Sequence, residues 1–178
     1  MPDKENLSAW ITGLVERFLT GSPFNRLNNK AGAAAWDEVL VGFASGADPI
    51  FQEYKEYVGP FHWTPLEIYH QYHPESPATP DQLTVISWIL PQRKEVRDVN
   101  RKAKTFPAEE WARVRIEGEK FNAELRAHIA KTLSDNGYPA VAPMLVPNWA
   151  WVKSKHFGYA SSWSERHAAH AAGLGTFG

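Results

Sequence analysis

Apolar positions recur in two rhythms along the chain. Leu7, Trp10, Ile11, Leu14, Val15, Phe18 and Leu19 follow i, i+3, i+4, i+7 spacing, one buried helical face, and Gly21, Ser22 and Pro23 close it. Residues 25–35 are polar and then small, which predicts a loop or short turn. Residues 36–45 (WDEVLVGFAS) hold a short apolar run bounded by glycine and predict a buried strand. Residues 50–58 place Phe51, Tyr54 and Val58 on one side of a short helix that Gly59-Pro60 ends. Thr64-Pro65-Leu66-Glu67 supplies an N-cap, a proline at the first helical position and an early acid, so a helix runs on to Tyr72.

The next apolar run, residues 83–90 (LTVISWIL), is continuous and rich in β-branched residues. It predicts a central strand buried on both faces and ended by Pro91. Residues 93–104 are charged and read as a solvated loop. Thr105, Phe106, Pro107 and Glu109 then announce a long helix with a stripe of Trp111, Val114, Phe121, Leu125, Ile129 and Leu133, capped by Asn136-Gly137. Gly118 inside it marks a kink or a close approach, because glycine costs about 1 kcal/mol against alanine there. Residues 138–146 predict an edge strand or an irregular segment, given Pro139 and Pro143. Ser162-Trp163-Ser164-Glu165 matches a capping box with Ser162 at the N-cap and Glu165 at N3. The helix behind it runs through Ala172 and ends at Gly173. This order predicts an α/β (α+β) fold, a mixed sheet flanked by helices, in a single domain over residues 1–178.

Composition narrows the chemistry. The chain has no cysteine, so its own residues offer no disulfide, thiolate zinc site, Cys-ligated iron–sulfur cluster or Cys nucleophile. Eight tryptophans suggest a large aromatic core, a flat apolar ligand, or both. No apolar run approaches the roughly 18 residues of a membrane span, and MPDKENLSAW has no apolar secretory core; the expectation is a cytoplasmic protein with no membrane partner. A formal net charge of −1 argues against nucleic-acid binding by bulk electrostatics. The charge is uneven, however. Arg93, Lys94, Arg97, Arg101, Lys102 and Lys104 face only Glu95 and Asp98, either a solvated stretch or a patch for a phosphate-bearing ligand or RNA.

Histidines supply the remaining candidates. His62, His70 and His73 lie close in sequence, and His70 and His73 share a helical face with Glu67 nearby, which would suit a metal-dependent enzyme. His167 and His170 repeat the i, i+3 relation. No G-x-S-x-G elbow or ordered Ser-His-Asp set is visible. Gly173, Gly175 and Gly178 have G-x-G-x-x-G spacing, but they follow a helix instead of opening one, which excludes a dinucleotide fingerprint. They read as a C-cap and flexible turn, or as backbone left bare for a bulky ligand.

SSWSERHAAHAAGLGTFG, residues 161–178, resembles a motif of the epoxyqueuosine reductase family and its iron–sulfur relatives, which are similar in turn to the corrinoid-binding core of reductive dehalogenases. EVLVGFASGADPIF, GPFHWTPLEI, VISWILPQ, the region around Asn100 and RIEGEKFNAELRAHIAKTLSDNGYPAVAP extend the resemblance over most of the chain. It implies a nitroreductase-like α/β domain that holds cobalamin, followed in a longer chain by a ferredoxin-like module whose cysteines bind two [4Fe–4S] clusters. The absence of cysteine fits a chain ending before that module. Carried over on the matching motif, Ser164, Glu165 and Arg166 open the helix, and Ala172, Gly173, Leu174, Gly175 and Thr176 form the turn expected beside the corrinoid. Thr176 stands where epoxyqueuosine reductases carry Trp, and their proton-donating aspartate has no clear counterpart. By spacing to Leu125-Arg126 that position falls near Lys120, with Glu119 adjacent, making these two the catalytic candidates. The departure points to a different small-molecule or modified-nucleoside substrate. The alternative is a partner- or RNA-binding module on the same fold, using residues 93–104. In either case an oligomer could form through exposed apolar surface.

Overall fold

A computed structural model of the chain describes residues 6–28 and 32–177. The architecture is mixed α/β. In chain order the elements are α1 (Leu7–Gly21), β1 (Leu40–Ser45), α2 (Ile50–Val58), α3 (Pro65–Tyr72), β2 (Thr84–Ile89), α4 (Lys94–Lys102), α5 (Glu109–Asp135), β3 (Trp151–Ser154), β4 (Gly158–Ser161) and α6 (Glu165–Ala171). β1 pairs with β2, and β3 with β4, in two separate two-stranded sheets. The chain divides into two compact units, one from residues 1–40 and 89–129, the other from residues 41–88 and 130–178. No helix among the described residues is long and apolar enough to cross a membrane.

In the first unit α1 buries Ile11, Val15 and Leu19, as its stripe predicts. The C-terminal end of α1 is tied down by Asn25, which the sequence shows only as one more polar residue. Its side chain is buried and fully hydrogen-bonded. Nδ2 donates to Leu19 O at 2.9 Å and Trp36 O at 2.8 Å, and Oδ1 accepts the N–H groups of Ala35 at 3.0 Å and Trp36 at 2.9 Å. These bonds explain why the strand expected over residues 36–45 begins only at Leu40: the backbone at 35–36 is already satisfied by a side chain. α4 forms where a solvated loop was expected. Its Lys, Arg and Glu are good helix formers, Lys94 pairs with Asp98 one turn on, and Val96 enters a core of Leu27, Ala35 and Val114. Gly118 of α5 is a close approach: a Cβ there would lie 2.5 Å from Trp36 Cζ2, so the indole packs directly on the helix.

The second unit packs Ala44, Phe51, Tyr54, Ile68, Val85, Trp163 and Ala168 together, with the Phe51 and Trp163 rings stacked at 6.4 Å. α3 carries the predicted cap. Thr64 Oγ1 accepts the Glu67 N–H at 3.4 Å, and Glu67 Oε2 accepts the Thr64 N–H at 2.8 Å. β2 is not the doubly buried central strand its apolar run suggested. It has one neighbour, and burial alternates, with Val85 and Ser87 inside. Residues 138–146 are irregular with a 3-10 turn at Pro143–Leu145. The hairpin β3–β4, which the sequence pattern did not single out, has Trp151 opposite Ser161 and Lys153 opposite Tyr159. Gly158, at φ +69°, closes its three-residue loop.

Candidate functional site

Ser164, not Ser162, caps α6. Its hydroxyl accepts the His167 backbone N–H, and Glu165 is therefore the first helical residue. Ser162 is held at the base of the hairpin, where Oγ accepts the Ala150 N–H at 3.1 Å and its carbonyl takes the Trp63 N–H at 2.8 Å. The helix ends as the glycine predicts. Gly173 adopts φ +71°, its N–H donates to His170 O at 3.0 Å, and Leu174 N–H donates to Ala169 O at 2.9 Å. Leu174 then seats on β1, because a Cβ on Gly42 would fall 2.8 Å from Leu174 Cγ and 2.7 Å from Ala172 O. Beyond this anchor the backbone is bare. Among the described residues nothing lies within 4 Å of where a Cβ on Gly173 or Gly175 would stand, and Gly175 and Thr176 are exposed. Gly178 lies outside the described residues.

The inner side of α6 meets a ring cluster that the sequence shows only as two unrelated histidine groups. His62 is buried, and its Nδ1–H donates to Ser161 O at 2.9 Å, leaving Nε2 with the lone pair. His167 lies edge-on to it at 5.6 Å and shares a 2.7 Å hydrogen bond between Nδ1 and Ser164 Oγ. Tyr54 packs edge-on to His167 at 4.6 Å, and its hydroxyl shares a 2.5 Å hydrogen bond with His170 Nδ1. Phe177 covers both helix histidines, at 4.9 Å from His167 and 5.2 Å from His170.

Burial controls the protonation of this cluster. It is the main force lowering the His62 pKa. It also brings His167 down to about 4, helped by the neighbouring His62, Arg166 and His170 charges. Both rings are therefore neutral near pH 7. Burial, with Asp48 and Glu53, raises the Tyr54 pKa, so the phenol keeps its proton.

The other sequence candidates are engaged elsewhere. His62 does not join His70 and His73. His70 Nε2 donates to Ala78 O at 3.2 Å, and His73 packs on Tyr69 at 4.7 Å with its Nε2 buried. No group of three or more His, Asp or Glu side chains among the described residues is placed to hold a metal ion. Glu119 accepts from the buried Arg126 at 2.8 Å, and Lys120 pairs with Glu117 at 3.1 Å on the surface of α5; both catalytic candidates lie in the first unit, whereas the ring cluster belongs to the second. Glu165 is half-buried, and Arg166 is exposed. The cations of residues 93–104 are partly neutralised: Arg93 pairs with Asp37, and Lys94 and Arg101 share Asp98. Compared with protein-family models, curated proteins and solved structures, the chain finds no match.

Proposed function

We propose that this chain is the cofactor-holding part of a cobalamin-dependent redox protein of the epoxyqueuosine reductase-like type, on a nitroreductase-related fold. The observation that carries the reading is the bare glycine edge at Gly173 and Gly175, anchored through Leu174 on Gly42. Within the segment that resembles the family, this edge is the place where a large flat ring can approach backbone without meeting a side chain. When bound, a corrinoid would supply reversible cobalt-centred electron transfer. The chain's own contributions are positional. Ser164 fixes the start of α6, Leu174 fixes its end, and Phe177, two residues beyond Gly175, packs on the His167 and His170 rings. Tyr54, protonated and hydrogen-bonded to His170 Nδ1, is one of the proton-bearing groups of the cluster. A chain without cysteine does not fit a Cys-ligated [4Fe–4S] cluster, so the electrons must come from a donor outside these residues.

Titration of the chain with cob(II)alamin tests the proposal. A change in the visible spectrum together with a rise in melting temperature supports it. Gly175→Leu, which fills the open edge at a position with no positive φ, should abolish both while leaving the unliganded melting temperature unchanged. A wild-type chain showing neither response refutes the reading.

A further inference from the structure

The β3–β4 hairpin carries a face that is exposed at Trp151, Lys153 and Tyr159 and buried at Ser161, its end nearest α6. Cross-strand partners share a side of a ribbon, so the Lys153–Tyr159 pair and Trp151, two residues along β3, project together. Trp151 and Tyr159 are 65% and 73% exposed. Ser154, on the other side, is buried, with its hydroxyl on Val58 O at 2.8 Å. Phe157 stands in the hairpin loop, 62% exposed, directly after Lys155 and His156. The segment that carries these rings has charge of one sign. Residues 136–164 contain no Asp or Glu, and Lys153 and Lys155 are their only lysines.

We propose that this hairpin docks on the surface of an anionic phospholipid bilayer. Trp and Tyr rings suit the headgroup level of a membrane, an apolar ring in the loop suits the acyl boundary, and ammonium groups beside them suit lipid phosphates. Such contact is peripheral and needs no spanning helix. A single-stranded nucleic acid is the weaker occupant. Two lysines neutralise few phosphates, and Trp151 is already engaged edge-to-face by Trp149 at 5.6 Å. Phe157, being in the loop, lies off the strand face on which successive bases would stack.

Co-sedimentation of the full chain with phosphatidylcholine vesicles, with and without phosphatidylglycerol, tests this. Binding should require the anionic lipid and should weaken with salt. Lys153→Ala with Lys155→Ala should lower partitioning roughly twenty-five-fold, at about fivefold per lysine. Trp151→Ser, Phe157→Ser and Tyr159→Ser combined should abolish it with the melting temperature retained. Phe106→Ser, at an 81% exposed ring of the first unit, should leave binding unchanged. The proposal is overturned by equal binding to both vesicle types, by no binding to either, by persistence in the triple variant, or by an equal loss in Phe106→Ser. It is also overturned if the hairpin substitutions instead abolish binding of an oligonucleotide probe or self-association in sedimentation velocity.

Discussion

Replacing His167 with glutamine removes a titrating ring while keeping a polar side chain beside Ser164. In the folded chain burial and neighbouring charges hold His167 near 4, against an ordinary value of 6.5. The unfolded chain restores the ordinary affinity. Between those two values the unfolded state carries a proton that the folded state does not, so the contribution is complete above pH 6.5 and drains away as pH falls toward 4. At about 1.4 kcal/mol per pH unit the interval sets a ceiling of about 3 kcal/mol, and partial solvent access to the half-buried ring brings the expected loss to about 2 kcal/mol. Urea unfolding of both proteins between pH 7.5 and 4 measures it. Glutamine should flatten the pH dependence by that amount but not remove it, because His62 is displaced in the same direction. Identical slopes in the two proteins, or wild-type stability that rises toward pH 5, would refute the reasoning.

Three further substitutions probe the packing described above. Asn25→Ala strips partners from Leu19, Ala35 and both polar groups of Trp36 and should cost about 3 kcal/mol in a denaturant melt. Gly118→Ala gains helix propensity worth about 1 kcal/mol but drives a methyl into Trp36, so it should still destabilise by about 1 kcal/mol net; a stabilised variant would contradict the contact. Glu119→Ala removes the Glu119 carboxylate from the buried Arg126 and should lower stability by about 1–2 kcal/mol, while cob(II)alamin titration of the same variant remains as in wild type.

Local rules read the helices well because their signals are local. The α1 stripe, the Thr64–Glu67 box and the Asn136-Gly137 cap each lie within a turn or two of chain, and the structure has all three. Ser162 misled for an instructive reason: two serines two residues apart both suit a cap, and the choice was made by Ala150 and Trp63, residues distant in sequence. α4 was missed because one buried valine gives no periodicity to detect. β3 and β4, four residues each, are too short for alternation to register. The Gly173 turn was legible as a C-cap, but its seat on Gly42 was not. The ring cluster was least legible of all. Its members come from two histidine groups about a hundred residues apart, and only tertiary packing selects His62 over His70 and His73.

That separation governs how the second unit can be made. Its two segments, residues 41–88 and 130–178, are interrupted by much of the first unit, and the bond from His62 to Ser161 spans 99 residues of chain. Contacts of such long range pay their loop-closure entropy before any packing returns it, and they slow folding. During synthesis the Phe51 ring must wait for Trp163, 112 residues further along the chain, and Gly42 of β1 for Leu174, 132 residues further along. At about 5–20 residues per second that is a delay of about 6–26 seconds. The glycine edge thus forms well after β1 and β2 have been made, and until it does those strands present a short apolar sheet for whatever holdase or partner reaches it first.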